Sequence, residues 1–471
     1  MKGCLIFLFL FQFNRLNAQS DIPLLIYNHQ QWQFENKGQS GSIDTDIDLV
    51  DSWKMTTGGK TITGFDIVVA VIDGGVYMNH PDLSENIWSN PNEVDGNGLD
   101  DDNNGFIDDM HGWNFRAGNN DVTNEGVGHH HGTPVNGIIG AVGYNKFGVS
   151  GINQSVKLLN LIKGEDTASI LNCHRYVLNL RKMFNSTNGE KGAFIVAINN
   201  SWGLDSLMAD DYSVWCSLYD ELGSEGVLTV NSAPNADIDV DIYGDMPVTC
   251  ASDFIISVTN SNFYDRRITW SGYGISSVDL AAPGDLTYTI RNTGDYGYFG
   301  GTSAAAAYVS GTIALLYSIP SYRIADDLVN DPGNFPLIIK ESILDGVVPV
   351  SGLEDHSTSG GRLNVFNSFK NLLLHYNDWD LLRELESDDR FISIYPNPST
   401  ERSVVSIELS GEKDITIDLY DLQGNRVDSI FGFLPKGIQS VEIPTGHLKP
   451  GTYFVVVSTA AFTEQFTLLK I

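Results

Sequence analysis

Short apolar runs separated by stretches of helical period organise the first three quarters of this chain. Residues 67–72, Ile-Val-Val-Ala-Val-Ile, are apolar at every position and end in Asp73-Gly74-Gly75. A strand with no polar face is buried on both sides, as in a parallel sheet covered by helices. Residues 158–162, 194–198 and 227–230 are further short, largely apolar runs, with helical stretches around residues 168–184 and 211–223 between them. Strands alternating with helices predict an α/β fold built on a doubly wound parallel sheet. From Ile392 the period changes to two, as in Ile415, Ile417 and Leu419, Val441 and Ile443, and Tyr453, Val455 and Val457. Gly424-Asn425 and Pro450-Gly451 punctuate these runs, which predicts a small C-terminal antiparallel β-sandwich. The charged stretch between the two patterns reads as a linker over residues 376–391.

Beyond Ser303, the residues Val309, Ile313 and Leu316 recur at helical spacing, and Ala304, Ala305 and Gly311 permit close packing. The spacing predicts a buried, amphipathic helix with Ser303 at its mouth. Unpaired N–H groups and partial positive charge at a helix start favour an oxyanion forming there. Asp73 closes a buried strand, where open α/β sheets place their ligands. His131 projects from a second helix start, since Pro134 is tolerated in a first turn and Val135, Ile138, Ile139 and Val142 mark one face. A serine hydroxyl needs a base within hydrogen-bond reach to become a nucleophile, and the base needs a carboxylate to hold its tautomer. The three residues therefore form a candidate catalytic set, in the chain order Asp, His, Ser. The chymotrypsin and α/β-hydrolase types run in other orders, and Ala305 replaces the second glycine of G-x-S-x-G.

The segments Val71-Ile72-Asp73-Gly74-Gly75-Val76, His131-Gly132-Thr133 and Gly301-Thr302-Ser303-Ala304-Ala305 resemble those of the subtilisin-like serine peptidases. So do Asn200-Ser201-Trp202-Gly203, residues 270–274 and 280–284, and the closing stretch at residues 360–364; the likeness runs from about residue 30 to 370. The resemblance implies a catalytic domain over residues 51–375, preceded by an N-terminal arm at 19–50. It implies that Asn235 supplies a second oxyanion donor and that Ser201, Trp202 and Gly203 form a substrate-binding edge. Four departures stand out: Gly74 where Thr or Ser usually follows the acid, Pro134 for a second His, Ala304 and Ala307 for Met and Pro, and Pro234 for Gly. None removes a group that performs chemistry.

Lys2, the apolar stretch at residues 5–11 and Ala18 read as a signal peptide over residues 1–18. Its apolar core is too short to span a bilayer, and no later run approaches ~18 apolar residues. Cleavage after Ala18 removes Lys2 and Arg15 and no acid, taking the formal charge from −31 to −33. So acidic a surface argues against nucleic acid or anionic membrane as partner. Cys173, Cys216 and Cys250 would remain, either as one disulfide and a thiol or as three thiols. The short interval between Ala18 and the catalytic region leaves no room for an inhibitory pro-domain of the usual kind.

Between Asp73 and His131, Asp100, Asp102 and Asn104 sit at the 1, 3, 5 spacing of a calcium loop. Gly105 follows at 6, the Phe106 carbonyl is available at 7, and Asp108 stands at 9. Carboxylates this dense repel one another unless neutralised, so Ca2+ in a structural role is expected. His111 rather than Glu at position 12 excludes an EF-hand. In the C-terminal region, residues 395–398, 421–424 and 448–453 resemble the sorting domain of the type IX secretion system. That resemblance implies that residues 392–471 engage the secretion machinery, with export across the outer membrane and a secreted or surface-held product. The chain thus reads as a monomeric serine endopeptidase acting on proteins or peptides through an acyl-enzyme. The alternative is a non-catalytic adhesion or scaffold protein on a peptidase fold.

Overall fold

A computed structural model describes residues 30–123, 129–143, 145, 148–386, 390–459 and 463–471. The expected signal peptide lies outside these residues. The chain divides into two compact units between Leu385 and Glu386.

The first unit is built on one mixed sheet. Its strands in chain order are β1 (Val68–Asp73), β2 (Gly112–Asn114), β3 (Lys157–Ile162), β4 (Ile195–Asn200), β5 (Leu228–Ser232), β6 (Ile255–Asn260), β7 (Leu280–Ala282), β8 (Val348–Pro349) and β9 (Gly361–Arg362). Across the sheet the order is β8-β9-β7-β6-β5-β4-β1-β3-β2, parallel throughout except for β8 on β9. Every position of β1 is buried, and the pleat sends Val69 and Val71 into one core and Val68, Ala70 and Ile72 into another. Helices α1 (His129–Gly140) and α4 (Thr302–Leu316) fill the first core; α2 (Thr167–Ser186) and α3 (Ser213–Ser224) fill the second. Both faces of the sheet are therefore covered, which is why β1 carries no polar face.

Two sequence expectations change. Helix α4 is not amphipathic: all its residues from Thr302 to Leu316 are buried. It runs through the core, and its polar side chains are satisfied there, Ser310 by Asn199 Oδ1 at 2.9 Å and Thr312 by the Tyr308 carbonyl at 2.8 Å. The expected linker at 376–391 carries the helix Trp379–Leu385, whose Leu382 and Leu385 join the first core. Its exposed Asp380 and Arg383 mask an apolar side of only two or three residues, too short to declare a period. Of the expected arm, Phe34, Ile47 and Leu49 are core residues of this same unit.

In the second unit, β10 (Arg390–Tyr395), β11 (Arg402–Leu409) and β14 (Gly437–Pro444) form one antiparallel sheet. The other contains β12 (Lys413–Tyr420), β13 (Arg426–Leu434), β15 (Gly451–Ser458) and β16 (Thr463–Lys470). Alternate residues such as Val405, Ile407, Ile415, Ile417, Val455 and Val457 make a core of their own, the period-two signature of sheets with one buried face.

Candidate active site

Asp73, His131 and Ser303, the candidate catalytic set, come from the ends of three elements and meet at the carboxyl edge of the sheet. Asp73 ends β1 and is buried; its Oδ1 accepts from the Gly74 N–H at 2.6 Å. Both carboxylate oxygens face His131 Nδ1, at 3.0 and 2.9 Å. This approach depends on Gly132: a Cβ there would stand 2.3 Å from the Gly75 carbonyl, a backbone clash that no rotamer relieves. His131 Nε2 in turn lies 3.0 Å from Ser303 Oγ. Burial disfavours the His131 imidazolium, but the charge and hydrogen bond of Asp73 outweigh it and raise the pKa above the usual histidine value, with Lys163 opposing.

Ser303 occupies the first turn of α4, and Gly301 before it takes φ 91°. That left-handed backbone favours glycine, and a Cβ there would press 2.7 Å from Asn235 Oδ1. Asn235 follows β5; its Oδ1 accepts from the Thr302 N–H at 3.1 Å and the Thr302 hydroxyl at 3.2 Å. An amide held by its oxygen leaves its Nδ2 free to donate elsewhere. Ser201 continues from β4 and locks onto the backbone of Ser303: its hydroxyl donates to the Ser303 carbonyl at 2.9 Å, while Ser303 Oγ lies 3.2 Å from the Ser201 carbonyl. The Trp202 indole donates to the Ile72 carbonyl at 2.7 Å, and Lys163 Nζ sits 5.0 Å over the Trp202 ring. A cavity of ≈ 220 Å³ is lined by Asp73, Gly74, Arg116, His131, Lys163, Ser201 and Trp202. Arg116 and Lys163 carried no sequence signal, because isolated basic residues in loops are ordinary surface positions.

The acidic loop groups its ligand atoms differently from the 1, 3, 5 spacing. Carboxylate oxygens of Glu93, Asp100 and Asp102 lie within 4.8 Å of one another. Asn104 instead donates its amide N–H groups to Asp102 and Asp109, at 3.1 and 2.8 Å, and its oxygen accepts from the Phe106 N–H at 2.8 Å. Phe106 packs its ring on Trp113, Phe115 and Tyr176. Asp108 receives the N–H groups of Asn97 and Gly98, both at 3.0 Å, so its carboxylate closes a turn. Glu93 was missed because it precedes the spaced motif. Its Oε1 accepts from Asp101 and Asp102 at 2.9 and 3.1 Å, while its buried Oε2 has no partner among the described residues. Burial, and the charges of Asp109 and Asp102 beside it, raise the Glu93 pKa. An orphaned oxygen in a strained cluster of carboxylates fits a hard divalent cation.

Among the described cysteines, Cys216 on α3 and Cys250 form a disulfide, with Cα atoms 5.2 Å apart. Cys173 is a buried thiol, and burial pushes its pKa far up.

A family profile described as "Subtilase family" matches residues 64–330, and one described as "Secretion system C-terminal sorting domain" matches residues 393–468. Subtilisin-like protease 1 of Plasmodium berghei is 31% identical over 356 residues, covering 70% of this chain and 53% of that protein. The protein of the same name in Plasmodium falciparum is 34% identical over 287 residues, covering 56% of this chain and 39% of its own. The chain thus spans about half or less of these curated relatives. Thermitase of Thermoactinomyces vulgaris is 26% identical over 260 residues, covering 53% of this chain and 74% of that protein. Among solved structures, a serine protease of Aeromonas sobria, crystallised in complex with its chaperone, shares the fold with TM-score 0.54 at 16% identity, covering 94% of this chain and 91% of that one. A protease of Pseudoalteromonas arctica matches with TM-score 0.50 at 22% identity, over 73% and 97% of the two chains.

Proposed function

The chain belongs to the subtilase family, and from that premise we propose that it is an exported serine endopeptidase working through Asp73, His131 and Ser303. The observation that carries this reading is His131 bridging the other two, Nδ1 on Asp73 at 2.9 Å and Nε2 on Ser303 Oγ at 3.0 Å.

In the proposed reaction His131 takes the Ser303 proton as Oγ attacks the scissile carbonyl, then returns it to the leaving amine. Asp73 holds the imidazole in the tautomer with Nδ1 protonated and offsets the charge that forms on it. The developing oxyanion would receive the Ser303 backbone N–H and Asn235 Nδ2, a reading supported by the hold of Thr302 on Asn235 Oδ1. The acyl-enzyme is then hydrolysed by water through the same groups. Extended substrate pairs its backbone with the edge at Ser201, Trp202 and Gly203, as peptides add to exposed strands.

Glu93, Asp100 and Asp102 would hold Ca2+, with Asp108 and Asn104 shaping the loop around it. The ion would supply charge neutralisation that fixes this loop, and no proton or bond in the reaction passes through it. No helix of the described residues is long and apolar enough to cross a membrane. The sorting domain at residues 393–468 suggests secretion or surface export, and residues 392–471 are proposed to engage the export machinery. The protease is proposed to be a monomer.

The test is a fluorophosphonate probe on the purified protein beside Ser303→Ala. Labelling that disappears in the variant supports an activated nucleophile at Ser303. A folded protein that does not label removes the reading. Deleting residues 392–471 should abolish export and leave labelling intact; unimpaired export of the truncated chain would refute the sorting role.

A further inference from the structure

Among the described residues of the first unit, Asp245 is the buried acid with neither carboxylate oxygen partnered. Asp73 faces His131, and Asp109 accepts from Tyr176, Asn90 and Asn104. Asp245 is fully buried, and neither of its carboxylate oxygens has a hydrogen-bond partner among the described residues. An unpaired carboxylate taken out of water is strongly disfavoured. Such a group persists where something else compensates it.

Its place in the fold indicates what. Two segments bracket the reacting centre: the edge beginning at Ser201, which is bonded to Ser303, and the segment beginning at Asn235, which carries the second oxyanion donor. Both run on and meet each other. Leu204–Asp205 pairs antiparallel with Asp245–Met246, Asp205 opposite Asp245. The interval between the two segments is thus closed at its far end by Asp245. Gly203, two residues and roughly 7 Å along the edge from Ser201, lies directly against it. A Cβ on Gly203 would point at the carboxylate, 2.8 and 2.9 Å from its oxygens, so no side chain stands between the substrate edge and the acid. The segment is braced from behind. The N–H and hydroxyl of Thr249 both reach the Asp245 carbonyl, at 3.0 and 2.9 Å, and the disulfide ties Cys250 to α3.

We propose that Asp245, with Asp205 opposite it, selects a lysine or arginine side chain on the substrate residue that contributes the scissile carbonyl. With that carbonyl on Ser303 Oγ and Asn235 Nδ2, its side chain enters the interval between the two segments. A long aliphatic stem ending in a cation passes Gly203 and delivers its charge to the orphaned oxygens. A neutral side chain gives the buried Asp245 carboxyl no ionic partner, and an acidic one meets the same desolvation beside the charge of Asp205. The desolvation that raises the Asp245 pKa, together with Asp205, is the penalty a bound cation would relieve. This inference rests on the peptidase reading and names the substrate class of the same site.

The experiment digests a denatured protein with the full chain and maps every cleavage site by mass spectrometry. It then measures kcat/KM for peptides differing only in Arg, Lys, Leu or Glu before the scissile bond. Cleavage should fall after Lys and Arg, with kcat/KM at least 100-fold above Leu. Asp245→Asn should cut the Arg-to-Leu ratio at least tenfold, and Asp245→Glu should retain more of it than Asp245→Asn. Fluorophosphonate labelling of Ser303 in each variant distinguishes lost preference from a collapsed site. Cleavage without enrichment at Lys or Arg, or an unchanged ratio in Asp245→Asn, overturns the assignment while leaving the peptidase reading in place. A folded wild type that neither labels nor cleaves overturns both.

Discussion

Thr302 holds Asn235 by two bonds to one oxygen: its backbone N–H at 3.1 Å and its hydroxyl at 3.2 Å both reach Asn235 Oδ1. The residue beside the nucleophile therefore orients the amide proposed to serve it. Asn235→Leu should lower kcat by about 10²–10³, the cost of removing one preorganised oxyanion donor, with KM little changed. Thr302→Val removes one of the two bonds and should cause a smaller loss, also in kcat. Steady-state kinetics on a single peptide separates the two; an unchanged kcat in Asn235→Leu would take the oxyanion role away from it.

The raised His131 pKa should set the acid limb of activity. Asp73 favours the imidazolium despite burial, so the base is protonated and inactive below that pKa and becomes competent as pH rises through it. The limb of kcat/KM should lie above the ordinary histidine value of about 6.5. Asp73→Asn should move it to lower pH and reduce kcat by about 10⁴, because the tautomer is no longer held. A pH profile of both proteins checks the direction.

Chelation should destabilise the first unit. Removing Ca2+ at a site held at about 100 times its Kd costs ~2.7 kcal/mol. Glu93→Gln removes the orphaned buried charge and should abolish most of the calcium dependence. Calorimetry with calcium and with chelator reads this as a difference in Tm that is present in the wild type and nearly absent in the variant.

Asp245 carries a stability signature of its own. Burial first, then Asp205, push its pKa up to about 8, above the ~3.9 of an unfolded aspartate. The native state then binds more protons than the unfolded state between these values, so this group's contribution falls as pH rises from about 4 through about 8. Asp245→Asn should raise Tm at pH 8 and change it little at pH 4, the gain being of order a few kcal/mol. Thermal unfolding at the two pH values measures it; equal effects at both would show that burial does not hold the proton.

The Cys216–Cys250 disulfide closes a loop of 34 residues in sequence separation. The chain-entropy relation puts its contribution at about 3–4 kcal/mol. Reduction, or the pair Cys216→Ala and Cys250→Ala, should lower the urea midpoint accordingly. The buried Cys173 should resist alkylation until the protein unfolds, which thiol counting in native and denatured protein would show.

The linear chain declared what short-range physics writes into it. Residues 67–72, apolar throughout, announce a strand covered on both faces, and the alternation at Ile415, Ile417 and Leu419 announces a sheet with one dry face. Asp73, His131 and Ser303 were legible because each stands at an element boundary whose local sequence has few other uses. Tertiary structure decided the rest. Asn200 and Asn231 give no hint that the segments after their strands return to one another, so Asp205 and Asp245 are ordinary acids until a two-residue ladder sets them face to face. Glu93 joins Asp100 and Asp102 only through the folding of its loop, while Asp108, at the predicted spacing, turns to the N–H groups of Asn97 and Gly98. Local periodicity and caps depend on neighbours within a few residues, which sequence displays. Ligand sets, buried orphans and paired charges depend on which distant segments a chain brings together, and only the packed sheet specifies that.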